Sequence, residues 1–121
     1  MNEVWNYSEI SEYISEDYNK LIDPNGICKF TVEEATANIL DEYRDIIDKD
    51  DIEKIMIYIV IGKKSIEYGS LDNKVQKEIM KIFEKKRLDE LKKDFIDEDY
   101  NTVKSDLEYL VSKINKNFIV T

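Results

Sequence analysis

The chain has 121 residues, 42% of them hydrophobic and 37% charged, which fits one soluble domain able to bury its own core. Its formal charge of -9 argues against sequence-independent nucleic-acid binding, because phosphates need a basic surface. With no histidine and a single cysteine, Cys28, it has no imidazole base, no histidine metal site, no internal disulfide and no cysteine-rich zinc site.

The charge is uneven. Residues 1–53 hold 15 acids and 4 bases, whereas residues 54–121 hold 12 acids and 14 bases, so all the excess negative charge lies in the N-terminal half. One proline and three glycines leave few breaks, which favours helices. The first is predicted from Asn6, an N-cap with Glu9 as its capping-box partner. Its inner stripe is Tyr7, Ile10, Ile14, Tyr18 and Leu21, with Glu9, Glu12 and Glu16 opposite. Trp5 is expected to anchor the core where the chain enters this helix. Asp23-Pro24-Asn25-Gly26 matches a type I turn, and Ile27 to Phe30 reads as extended or irregular.

Thr31 and Glu34 form a second capping box, opening a helix that runs to about Ile47. Its apolar stripe is wide, from Val32 and Ala35 through Ile39 and Tyr43 to Ile46 and Ile47. Glu34, Asn38, Asp41, Asp45 and Asp48 recur every three or four residues on the other side, giving a polar, mostly acidic stripe. Like charges so spaced repel by a few tenths of a kcal/mol per pair, roughly. The stripe is either a solvated face or one that a partner uses.

Residues 52–66 are the organising segment. Ile55 to Ile61 is apolar or aromatic at every position, so no face of it prefers water. Five β-branched residues in the run suit a buried strand. Asp50 and Asp51 at the start, the spacing of Ile52, Ile55, Ile59 and Ile66, and Lys63 and Lys64 near the end suit a helix. Helix is the reading adopted, since a lone strand would lack a partner for its backbone; strand is the alternative. Gly69 to Asn73 is the next turn, with Ser70 or Asp72 as a cap.

The following helix carries Val75, Ile79, Ile82 and Phe83 inward and Lys74, Lys77, Lys81 and Lys85 outward, with a bend near Lys86-Arg87 before Leu88, Leu91 and Phe95. That basic run lacks interleaved aromatics, so it reads as a solvated face rather than a nucleic-acid patch. Asp97, Glu98 and Asp99 open the last helix, whose inner stripe is Tyr100, Val103, Leu107, Leu110, Val111, Ile114 and Phe118. Phe118, Ile119 and Val120 are expected to fold back or pack on a neighbour. The expected fold is thus an all-α single domain over 1–121, a bundle of five or six helices around a central hydrophobic helix.

No chemistry-bearing motif stands out. Gly62-Lys63-Lys64-Ser65 lacks the upstream glycine of a phosphate loop, and no calcium loop has its glycine and final glutamate in frame. No catalytic residue, cofactor or metal is expected, and the chain does not read as an enzyme. There is no secretory leader pattern and no apolar run near ~20 residues, so a cytoplasmic location and no membrane span are expected.

Trp5-Asn6-Tyr7, Phe30-Thr31-Val32-Glu33-Glu34-Ala35, Leu40-Asp41-Glu42-Tyr43, Ile61-Gly62 and Gly69-Ser70-Leu71 occur in an order that resembles the family-three immunity proteins of bacterial polymorphic toxin systems. The resemblance covers most of the chain and implies a small, largely helical cytoplasmic protein that neutralises a toxin by binding it. It brings no functional residues with it. The expected contact therefore follows from charge alone: Glu34, Asn38, Asp41, Asp45 and Asp48, with Asp50 and Asp51, facing a basic toxin, and Asp97, Glu98 and Asp99 as second choice. The competing expectation is a helical adaptor or regulatory subunit without a toxin partner, including a homodimer packed through an apolar face.

Overall fold

The structure is a computed structural model that describes residues 6–22 and 30–116. Trp5, Cys28, the Asp23 to Gly26 turn and the segment from Asn117 to Thr121 lie outside the described residues.

The described residues form seven α-helices and no strand: α1 (Tyr7–Leu21), α2 (Val32–Glu42), α3 (Arg44–Lys49), α4 (Asp51–Glu67), α5 (Asn73–Glu84), α6 (Arg87–Leu91) and α7 (Asp97–Asn115), with a 3-10 turn at Lys92–Asp94. Local chemistry sets most of the starts. Asn6 Oδ1 accepts from Glu9 N at 2.8 Å while Glu9 Oε1 accepts from Asn6 N at 3.1 Å, a reciprocal box. Thr31 and Glu34 repeat it for α2. Asp50 Oδ1 accepts from the amides of Ile52 and Glu53 at 2.9 and 3.0 Å, and Asp72 Oδ1 from that of Lys74 at 2.8 Å.

The Ile55 to Ile61 run is helical and wholly buried. The β-branched residues that suit a strand are accommodated because α4 meets neighbours on all sides, packing against α1, α2, α3, α5 and α7. Gly62 permits a close approach of α5 and α7. A Cβ there would lie 2.8 Å from Ile79 Cδ1 and 3.1 Å from Leu110 Cδ1. The helix closes in a Schellman turn: Ser70 N donates to Ser65 O, Gly69 N donates to Ile66 O, and Gly69 takes φ of 90°.

The helix count exceeds the expected five or six, for two local reasons. The segment expected to run from Thr31 to Ile47 bends at Tyr43. Its hydrogen bonds continue through the bend, Tyr43 N to Ile39 O and Ile47 N to Tyr43 O, both at 3.0 Å. The Tyr43 hydroxyl donates to Asp17 Oδ2 of α1 at 2.9 Å, which ties the bend to its neighbour. The second break lies where a bend is expected. Lys86 adopts φ of 53°, a left-handed residue that ends α5 and starts α6.

One inward assignment is corrected. Phe83 is 44% exposed, because Ile79 and Ile82 set the buried direction of α5 and Phe83 lies about 100° further round. Two polar clusters cross the bundle. The hydroxyls of Tyr18 and Thr36 meet at 2.6 Å, with Ser65 Oγ 3.2 Å from Tyr18, joining α1, α2 and α4 inside the core. Asp106 of α7 accepts from the Tyr7 hydroxyl and from Lys63 Nζ.

Candidate partner-binding face

The stripe expected on one face spans α2 and α3. Glu34, Asn38, Asp41, Asp45 and Asp48 are all exposed. Their local engagements differ. Glu34 is occupied in its capping box, and Asp41 is ion-paired with Arg44 one turn on. Asn38, Asp45 and Asp48 have no ion pair or side-chain hydrogen bond among the described residues.

The two acids that follow belong elsewhere. Asp50 is half-buried, with its carboxylate turned back onto the first turn of α4. Asp51 pairs with Arg87 at 3.1 Å and lines a different groove with Lys54, Glu78, Lys81 and Lys85. The structure therefore brings Asp41 and Asp48 together and separates Asp51 from them. Of the second-choice acids, Asp99 accepts from Tyr7 N at 3.1 Å, while Asp97 and Glu98 are exposed.

Asp41 and Asp48 share a groove of about 340 Å³ between α2, α3, α4 and the start of α5. Ala37, Leu40 and Ile47 give it apolar lining, and Arg44, Asp72 and Lys74 add charge. Tyr58 also lines it. This residue is only 6% exposed, yet its hydroxyl has no hydrogen-bond partner among the described residues. Burial raises the Tyr58 hydroxyl pKa above its ordinary value, and the charges of Glu78 and then Asp48 raise it further. From sequence Tyr58 reads only as core. The signal that sets it apart is that it carries the one hydroxyl in the Ile55 to Ile61 run.

Acids also press on one another along α1 and α2. The Glu42 carboxyl is held above its usual range by burial first and by the Asp17 carboxylate second. Among the described residues no group of three or more acids or cysteines is placed to hold a metal ion. No helix there is long and apolar enough to cross a membrane.

The profile of the immunity protein Imm3 family matches residues 3–120. The chain belongs to the Imm3 family. Comparison with curated proteins returns no match, and neither does comparison with solved structures. The candidate site of this Imm3 protein therefore rests on the chain's own geometry.

Proposed function

We propose that this Imm3 protein neutralises a cognate toxin of a bacterial polymorphic toxin system by binding it directly in the cytoplasm, without catalysis. The family match over residues 3–120 is the observation that carries this reading. The proposed contact is the α2–α3 face, with Asn38, Asp45 and Asp48 foremost because no other described residue engages their side chains. Asp41 and Glu34 contribute charge while engaged with Arg44 and Thr31. Asp50 and Asp51 contribute to the field and not to contact, since their carboxylates serve a cap and an internal ion pair.

The toxin surface is proposed to be basic. The N-terminal half holds all the excess negative charge of the chain, which speeds encounter with a positive partner. The test is co-purification with the product of the adjoining toxin gene, followed by charge reversal at Asp45 and Asp48. The expected result is a stable complex with wild type, weakened about tenfold or more in D45K/D48K and weakened by added salt. Unchanged affinity in D45K/D48K removes this face; absence of any complex removes the function.

A further inference from the structure

The groove beside Asp48 combines features that an acidic patch alone does not have. Its volume of about 340 Å³ is at the lower end of ligand pockets, suited to one inserted side chain. Ala37, Leu40 and Ile47 offer apolar surface to an aliphatic stem. Asp48 at the rim has no paired cation among the described residues, because Arg44 is held by Asp41 and no ion pair joins Lys74 to Asp48. Tyr58, nine-tenths buried, presents an oxygen that no described residue uses. No side-chain oxygen sealed from solvent among the described residues lacks a partner, so this one opens onto the groove. A donor entering the groove would meet it in place of water.

We propose that this groove receives an arginine side chain of the toxin, its guanidinium bridging the Asp48 carboxylate and the Tyr58 hydroxyl. Arginine fits better than lysine because its planar fork can donate to two acceptors at once and is more weakly hydrated. The stem lies over Leu40 and Ile47, so insertion buries apolar surface as well as pairing charge. This rests on the toxin-binding reading and gives that face one anchoring residue, the kind of seat at which binding energy concentrates.

Three substitutions separate an anchor from a general field. D48N and D45N each remove one negative charge from the same face, but only Asp48 lines the groove. Y58F removes no charge at all. The expected losses of toxin affinity are about tenfold or more for D48N, about threefold to tenfold for Y58F and under about threefold for D45N. Equal losses in D48N and D45N with none in Y58F overturn the groove and leave toxin binding standing.

If wild type binds no toxin, N-acetyl-arginine methylamide serves as the probe in an amide chemical-shift titration of the full chain. Saturable shifts at Leu40, Asp48 and Tyr58, lost in D48N and absent with the neutral citrulline analogue, support the seat. Shifts spread over all exposed acids, equal with the lysine analogue, or absent overturn it.

Discussion

Tyr7 and Asp106 are joined side chain to side chain, the hydroxyl donating to Asp106 Oδ2 at 2.7 Å across 99 positions of sequence. The same oxygen accepts from Lys63 Nζ at 3.1 Å, so one carboxylate holds α1, α4 and α7 together. Asp99 adds a second tie by accepting from Tyr7 N. A hydrogen bond to a charged group contributes about 1.5–3 kcal/mol. Tyr7→Phe should therefore cost about 2 kcal/mol in urea unfolding, with an unchanged denaturant slope. A loss below about 0.5 kcal/mol would mean the tie contributes little beyond packing.

Four tyrosines link the fold to alkaline pH. The hydroxyls of Tyr7, Tyr18, Tyr43 and Tyr58 are all held above their ordinary value, burial being the largest cause in each. Tyr7 and Tyr43 also donate to carboxylates that a phenolate would repel. The unfolded chain ionises these groups near pH ~10 while the folded chain keeps their protons, so the unfolded state loses protons first. Their contribution is complete below pH ~10 and lost as pH rises above it. Phenolate absorbance from these four should appear together with the loss of helix by circular dichroism. Ionisation of all tyrosines with the helices intact would contradict the burial.

Local chemistry is the legible part of this chain. The caps at Asn6, Thr31 and Asp50 can be read because donor and acceptor sit within three residues. The stripe of α1 and that of α7 through Ile114 can be read from spacing alone. The bend at Tyr43 cannot, since neither glycine nor proline marks it and its tie to Asp17 spans 26 positions. Asp51 belongs to the free acidic face by sequence, but Arg87, 36 positions away, closes on it. Tyr58 is the sharper case. In a run of buried apolar residues its hydroxyl gains meaning only from the way α2 and α3 leave a groove above it. Pairings of distant residues are set by packing, and a single sequence shows packing only through which faces are apolar.

Glu53 carries a prediction near neutral pH. It is 8% exposed, and no ion pair joins it to a described base. Burial raises its carboxyl pKa first, and the Asp50 charge raises it further. The folded state therefore binds a proton more readily than the unfolded state, and stability declines as pH rises from the unfolded value through the folded one. Glu53→Gln removes the ionised form. It should be more stable than wild type at pH 7, with the advantage shrinking as pH falls toward the ordinary glutamate value near ~4.3 and gone below it. Thermal melts of both proteins between those limits check it; a constant difference would mean the carboxylate is not the cause.

Two left-handed residues give opposite signs. Gly69 takes φ of 90° in the turn after α4, and an added Cβ would meet nothing within 4 Å, so the space is free but the backbone is not. A side chain in that region crowds its own carbonyl, and Gly69→Ala should cost about 1 kcal/mol. Lys86 already bears that strain at φ of 53°. Relief of about 1–2 kcal/mol is offset by the roughly 0.5–1 kcal/mol of extra chain entropy that glycine loses on folding. Lys86→Gly should therefore stabilise by about 0.5–1 kcal/mol, because the passage from α5 to α6 through Lys85 and Lys86 needs the left-handed turn at Lys86. Paired urea titrations of the two variants are the check. If Lys86→Gly destabilises, the turn is held by the lysine side chain and not merely tolerated by it.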